Sequence, residues 1–365
     1  MKSIRILYFS RDYTPHDYRF LTALAKTDHH IYYLRLENGA NVIEERPLPA
    51  EVEQVEWVGG KGTASVNHGL HLLSDLRRVI KRVKPDLIHA GPIQRSAFLV
   101  ALTGFKPLVS MSWGYDLLYD AKRNPFWSWA TRYTLQNSVA MVGDCETIRS
   151  LAVAYGMPIE RIVTFPWGVD ISHFNVSTRK HSNTQTFNLL STRSFEPIYG
   201  TELIAQAYVI AARHCPDLHL TMIGDGSLKA PIRQIFLVGA VYARVQFPGL
   251  VSYDELPDFY RTADVYLSAS HSDGSSISLL EAFASGTPAI VSDIPGNQEW
   301  VRPGDNGWLF PDGDVNSLAE AILKAYDQRQ MLPEMGENAR RLAETRADWD
   351  KNFPQLEKAY SLAMG

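Results

Sequence analysis

Cysteine is nearly absent: Cys145 and Cys215 are the only two in 365 residues. Two thiols cannot make a disulfide framework, so they read as buried thiols in a reducing cytosol. Long hydrophobic runs are missing as well, since no apolar stretch approaches the roughly 20 residues that span a bilayer. The opening MKSIRILYFSRD has Lys2 and Arg5 but only a short apolar run, which reads as a first core strand and not as a signal peptide. Metal-ligand spacings are also lacking. The 11 histidines show no HExxH-like pairing, and Asp312 and Asp314 read as turn and N-cap groups. No metal, no cofactor and no nucleic-acid partner are expected.

What is present suits a soluble enzyme: 45% hydrophobic and 21% charged residues, in a chain long enough for two cores. The net charge of −4 conceals an asymmetry, with +5 over residues 1–180 and −9 over 181–365. A basic half facing an anionic partner or membrane explains this, and so does drift in surface composition. A basic stripe (Arg77, Arg78, Lys81, Arg82, Lys84) and the segment Lys122–Trp129 leave the same two readings open: contact with anionic lipid, or a solvated helix face plus aromatic core.

Strand-like runs alternate with helical patterns, which predicts parallel, doubly wound sheets. IRILYFS, HIYYLRL, LIHAG, PLVSMSW, VAMVGD and RIVTFPW serve the first half; FNLLSTRS, LHLTMIGDG, RVQFPGLV, DVYLSAS and TPAIVSD serve the second. Polar residues cluster at 175–186, the best linker. The expected division is a Rossmann-like domain over 1–174, a second over 187–348 and a terminal helix over 349–365. Ligands are expected outside the carboxyl ends of the strands and where the domains meet.

The densest signal runs from Ser270 to Phe310. A strand ends in the turn HSDGSS, a helix SLLEAFASG follows, then a buried strand and Ile294-Pro295-Gly296-Asn297. A Gly/Ser turn opening a helix presents free backbone N–H groups and positive dipole potential, a ready phosphate site. Gly274, Ser275, Ser276 and Ile277 supply those amides. Asp273 and Glu281, with seven residues between them, supply carboxylates that accept hydrogen bonds from sugar hydroxyls.

This order of elements resembles the donor-sugar signature of family 4 retaining glycosyltransferases, which have the GT-B fold: α/β, two Rossmann-like domains facing across a cleft. The family pattern is Glu-x7-Glu followed by a Gly-x-x-Glu-x-Val turn. Here Asp273 replaces the first Glu, Glu281 is the second, and the turn reads Gly296-Asn297-Gln298-Glu299-Trp300-Val301. The resemblance implies that Glu281 holds the ribose and Asp273 touches the transferred sugar. Arg193 matches the family's diphosphate-gripping Arg, but the Lys of Arg-x4-Lys-Gly is missing, and Pro197-Ile198-Tyr199 stands in that region. Gly224 and Gly226 match its Gly-Asp-Gly turn. Gly249, Leu250 and Val251 match the strand end whose backbone reads the base, while Tyr253 either stacks on the base or covers the core, the core being favoured. In the first half the family's Gly-Gly loop is replaced by SRDYTPHDYRF, and its His-Gly by Trp113-Gly114-Tyr115-Asp116. Asp116, His16 and Arg11 become acceptor-side candidates, or else turn and ion-pair residues.

The implied activity is metal-independent, retaining transfer of a hexose-type sugar from a nucleotide-diphosphate sugar to a hydroxyl acceptor. UDP-sugars are favoured and GDP-sugars are the second choice. The acceptor is a glycan or lipid-linked glycan, and the setting is cytoplasmic, with peripheral association at an anionic inner membrane face as an option. A sugar-nucleotide epimerase, a phosphorylase and a non-catalytic nucleotide-sugar-binding subunit are the alternatives.

Overall fold

The computed structural model describes residues 2–38, 44, 46–63, 68–176 and 186–365. The chain divides into two compact units, one running to Phe165 and including Phe353–Gly365, the other covering Pro166–Asn352.

The first unit is a seven-stranded sheet. Its strands are β1 (Arg5–Ser10), β2 (His30–Arg35), β3 (Val52–Gln54), β4 (Leu87–Ala90), β5 (Leu108–Met111), β6 (Ala140–Gly143) and β7 (Ile162–Thr164). Their order is β3-β2-β1-β4-β5-β6-β7, and every pairing is parallel. Every residue of β4, β5 and β6 is buried, as expected of central strands with helices on both faces. On one face Leu7 and Phe9 pack against Leu72, Leu76, Val79 and Val83 of the helix Gly69–Val83. On the other, Tyr8 and His89 meet edge to face, 5.0 Å apart, and Phe20 and Tyr360 close around His89. The Tyr360 hydroxyl and His89 Nδ1 share a 2.8 Å hydrogen bond, which ties the terminal helix Pro354–Met364 to the sheet. Burial pushes the His89 imidazole down to about 3, so it is neutral there.

The second unit has six strands: β8 (Phe187–Ser191), β9 (Leu218–Ile223), β10 (Val245–Gly249), β11 (Val265–Ser268), β12 (Ala289–Ser292) and β13 (Gly307–Phe310). They are parallel in the order β10-β9-β8-β11-β12-β13. Pro248 cannot donate to a ladder, and it sits on the edge strand β10 beside a register shift between Gln246 and Gly249. Strands β3 and β13 are additions to the sequence expectation. Both are short and carry weak apolar alternation.

The division between units falls at Phe165/Pro166, not after Phe174. Phe174 is fully buried in the second unit's core, and the Val169 N–H donates to the Ala347 carbonyl at 2.7 Å. These contacts carry 166–174 into the second unit. Residues 177–185 of the expected linker lie outside the described residues. Likewise Trp349–Asn352 belongs with the second unit, so the returning segment is 353–365 rather than 349–365.

In both sheets the crossovers diverge beside the first strand, between β1 and β4 and between β8 and β11. Outside the carboxyl ends of such a pair, loops part and leave room for a ligand. The terminal helix is integral to the first of these sheets. Tyr360→Ala, which opens a cavity and leaves His89 Nδ1 without its partner, is expected to cost about 3–5 kcal/mol in urea denaturation. A loss under 1 kcal/mol would show the helix to be dispensable.

Candidate active site

Arg193 follows β8, and Asp273 follows β11, at the point where the second sheet's crossovers part. The Arg193 guanidinium bonds Asp273 Oδ2 at 2.7 Å and donates through Nη1 to the hydroxyls of Ser276 (3.1 Å) and Ser278 (3.0 Å). Tyr266 donates to Ser278 Oγ at 2.8 Å, and the Tyr199 ring lies 4.2 Å from the guanidinium carbon. Burial pushes the Asp273 carboxyl up and Arg193 pulls it back; the Arg193 guanidinium stays charged. Arg193 Nε is buried without an acceptor among the described residues, so its donor capacity is not used up.

The predicted amides lie at the start of the helix Ile277–Ala284, whose N-cap is Ser276. The Ser276 hydroxyl makes no capping hydrogen bond, so the first-turn N–H groups are not satisfied from it. Gly296 explains how the turn is held. A Cβ there would lie 2.3 Å from the Asp273 carbonyl oxygen and 2.5 Å from that of Gly274, so the helix Pro295–Gln298 supports this turn from beneath. Asn297, buried, donates to the Ser292 carbonyl at 2.8 Å and pins that support.

Glu281 is buried in the same helix and accepts from the Tyr260 hydroxyl at 2.8 Å; Tyr260 also meets Thr192 Oγ1 at 2.9 Å. Burial and the Glu281 charge push the Tyr260 phenol far up, so it stays a donor. The carboxylate therefore arrives oriented, next to the strand that carries Arg193.

Gly224 and Gly226 sit against the Arg193 loop. Their φ values are 139° and 155°, and a Cβ would lie 2.9 Å from the Arg193 carbonyl and 2.5 Å from the Phe195 carbonyl. Gly249 joins them, accepting from the Gly224 N–H at 3.0 Å. Leu250 is exposed and Val251 half-buried. Tyr253, for which the sequence favours the core, is 39% exposed and stacks on His173 at 4.4 Å. It is a surface platform because the chain has left β10 by that point.

The acceptor-side candidates separate. Asp116 is buried, and its oxygens accept from the Ile93 N–H (2.9 Å), Ser112 Oγ (2.6 Å) and the Leu117 N–H (3.0 Å). It braces two chain turns through these bonds, the arrangement of the turn reading that the sequence left open beside the acceptor one. His16 opens the helix Pro15–Leu24 and lies 5.5 Å from the Trp113 ring. Burial, then Arg19, pushes its imidazole down to about 3, so it is neutral. Arg11 pairs with Glu37 at 3.2 Å. Asp314 caps the helix Val315–Asp327, accepting from Asn316 and Ser317, while Asp312 pairs with His271. Among the described residues no cluster of three or more metal-ligating side chains occurs.

Tyr199, Tyr260, Tyr266 and Ser278 escaped the sequence reading. Tyr260, Tyr266 and Ser278 act through contacts between separate elements, and Tyr199 through its ring against Arg193 in the same loop; spacing reveals none of these. Ser278, the second residue of the helix that the predicted amides open, was the one within reach.

Comparison with known proteins follows the same division. The family model for glycosyl transferases group 1 matches residues 175–342, and that for the glycosyl transferase 4-like domain matches 16–168. A D-inositol 3-phosphate glycosyltransferase of Paenarthrobacter aurescens is 30% identical over 58% of this chain and 54% of its own length. The GtfA subunit of a UDP-N-acetylglucosamine–peptide N-acetylglucosaminyltransferase from Streptococcus pneumoniae is 28% identical over 50% of this chain and 35% of its own. The chain thus spans about half or less of these curated relatives. Sucrose-phosphate synthase from Thermosynechococcus elongatus superposes with a TM-score of 0.81 at 17% identity, covering 98% of each chain. HepE of Anabaena, solved with UDP, superposes at 0.77 and 17% identity, covering 98% of this chain and 100% of its own. The fold is GT-B, and with both of its domains matched the chain belongs to the group 1, family 4-type glycosyltransferases.

Proposed function

We propose that this protein is a metal-independent, retaining glycosyltransferase that moves a hexose-type sugar from a nucleotide-diphosphate sugar to a hydroxyl acceptor. The carrying observation is Arg193, fixed at the second sheet's switch point by Asp273, Ser276 and Ser278 beside the uncapped start of a helix. A planar guanidinium and helix N-terminal amides suit a diphosphate leaving group, and their fixed charge would stabilise it as it departs. Asp273, held by that guanidinium, would read the transferred sugar. Glu281, oriented by Tyr260, would take the ribose hydroxyls. The acceptor hydroxyl would attack from the face the diphosphate leaves, and a donor phosphate oxygen would take its proton. UDP is favoured as the carrier because HepE, of the same fold, was solved with UDP and with UDP-glucose.

The reading extends to a glycan or lipid-linked glycan acceptor met at an anionic, cytoplasmic membrane face. No helix among the described residues is long and apolar enough to cross a membrane. The basic helix Gly69–Val83 buries Leu72, Leu76, Val79 and Val83, while Leu70 near its start is exposed together with its charges. Its neighbour Phe98–Thr103 packs in turn against the helix Pro125–Asn137, where Phe126 and Trp129 are about half exposed (54% and 49%). Charge and exposed aromatics thus share one side of the first sheet, the composition of a membrane-interface surface.

Arg193→Lys keeps the charge and loses the fork, and is expected to raise the Kd for UDP in calorimetry by about 10-fold or more. Glu281→Gln is expected to weaken UDP while leaving pyrophosphate binding unchanged; equal UDP affinity in both variants and the parent would sink the assignment. Donor turnover, followed by UDP release with a panel of acceptors, should survive excess EDTA; loss of turnover restored by Mg²⁺ would overturn metal independence. Cosedimentation with phosphatidylglycerol vesicles should occur at low salt and fade at high salt. Replacing Phe126 and Trp129 with Ser should reduce it, and an unchanged bound fraction would place the contact elsewhere.

A further inference from the structure

The switch point of the first sheet carries a charged cluster that the donor chemistry does not use. Arg11 follows β1, Glu37 follows β2, Arg95 lies in the turn after β4, and Arg123 follows β5. Glu37 is 3% exposed, and its Oε1 alone takes both Arg11 Nε (3.2 Å) and Arg95 Nη1 (3.1 Å). Arg95 and Arg123 each approach the Trp127 ring at 5.4 Å. Arg123 makes no side-chain hydrogen bond among the described residues, and Arg11 and Arg95 make no others.

Crowding three guanidiniums costs repulsion. Burial and then Arg11 push the Arg95 guanidinium down from its ordinary range. Asp120 shares the cluster's field: burial pushes its carboxyl up, and Arg95, Arg123 and Arg11 pull it back. Two carboxylates against three arginines leave a positive surplus, with exposed Lys122 alongside. Glu37 fixes two guanidiniums by one atom, which leaves their remaining N–H donors to converge on a ligand. The guanidinium carbons of Arg95 and Arg123 lie over the Trp127 ring, a cation–π contact that consumes no N–H donor.

We infer that Arg11, Arg95 and Arg123 form an anion subsite at the carboxyl edge of the first sheet, taking a phosphate or diphosphate group on the acceptor. The inference rests on the acceptor reading of the first unit. It narrows the acceptor class to phosphorylated molecules, whether a sugar phosphate or a lipid diphosphate.

The test uses the full chain carrying Arg193→Gln, which disables the proposed donor grip, and calorimetry with inorganic pyrophosphate at low salt. Binding should persist in that background. Adding Arg95→Gln should weaken it at least 10-fold. Adding Arg123→Gln instead, at an exposed side chain whose loss leaves the fold intact, should weaken it several-fold. Unchanged affinity in the Arg123→Gln protein, or no pyrophosphate binding once Arg193 is replaced, overturns the subsite. Glucose 1-phosphate binding more tightly than pyrophosphate supports a sugar-phosphate acceptor, and geranyl diphosphate binding more tightly supports a lipid one. If the parent chain fails to bind UDP while pyrophosphate still depends on Arg123, the donor reading falls and the anion subsite stands.

Discussion

The second unit depends on the ion pair between Arg193 and Asp273. Removing two charges from water costs several kcal/mol, and their attraction offsets this only when further hydrogen bonds complete the set. Ser276 and Ser278 supply those bonds, and Tyr266 fixes Ser278. The pair spans strands β8 and β11, from which the chain departs in opposite directions. It therefore clamps the two halves of the sheet where their loops would otherwise part, and keeps a fixed positive charge there before any ligand arrives. Preorganisation of this kind makes an electrostatic site effective, because nothing need reorient during reaction.

Tyrosine hydroxyls do much of the positioning. Tyr260 links Thr192 to Glu281, Tyr266 serves Ser278, and in the first unit Tyr8 donates to Asp17 while Tyr360 meets His89. Each ring fills core volume while its hydroxyl satisfies a polar group that burial would otherwise penalise. Asp17 shows the consequence. Burial pushes its carboxyl up to about 7 despite hydrogen bonds from Thr14 and Tyr8 that lower it. It completes the capping box of its helix from inside the core.

Much of the fold was legible because parallel strands buried on both faces read as short apolar runs, and turn residues mark their ends. DVYLSAS, the Gly/Ser turn and the helix through Glu281 are contiguous in sequence, so local rules sufficed for them. For Asp116 the sequence left two readings open, because a buried carboxylate bracing its own turn and the Ile93 N–H of another segment looks in sequence like one facing a ligand. Tyr253 was misread because the chain leaves the sheet sooner than its apolar neighbours suggest. Val169 and Phe174 were given to the first unit because Trp167-Gly168-Val169-Asp170 and the following Phe174 resemble the family's motif at the end of the first domain, whereas their contacts run to Ala347 and the second core.

The two sheets carry the same device with different stoichiometry. In each, an arginine follows the first strand (Arg11 after β1, Arg193 after β8) and is held by a carboxylate from a neighbouring strand's end. In the second unit one carboxylate serves one guanidinium, hydroxyls complete the set, and backbone amides stand alongside. That combination suits a group needing hydrogen bonds on several sides. In the first unit one carboxylate serves two guanidiniums, a third stacks on Trp127, and no hydroxyl bonds to any of their side chains among the described residues. The surplus there is charge rather than hydrogen-bond variety, so it favours an anion by its sign more than by its shape. On the donor and anion-subsite readings proposed above, a duplicated switch point would let one architecture discriminate a nucleotide from a simpler anion through side-chain count, with no change in backbone topology.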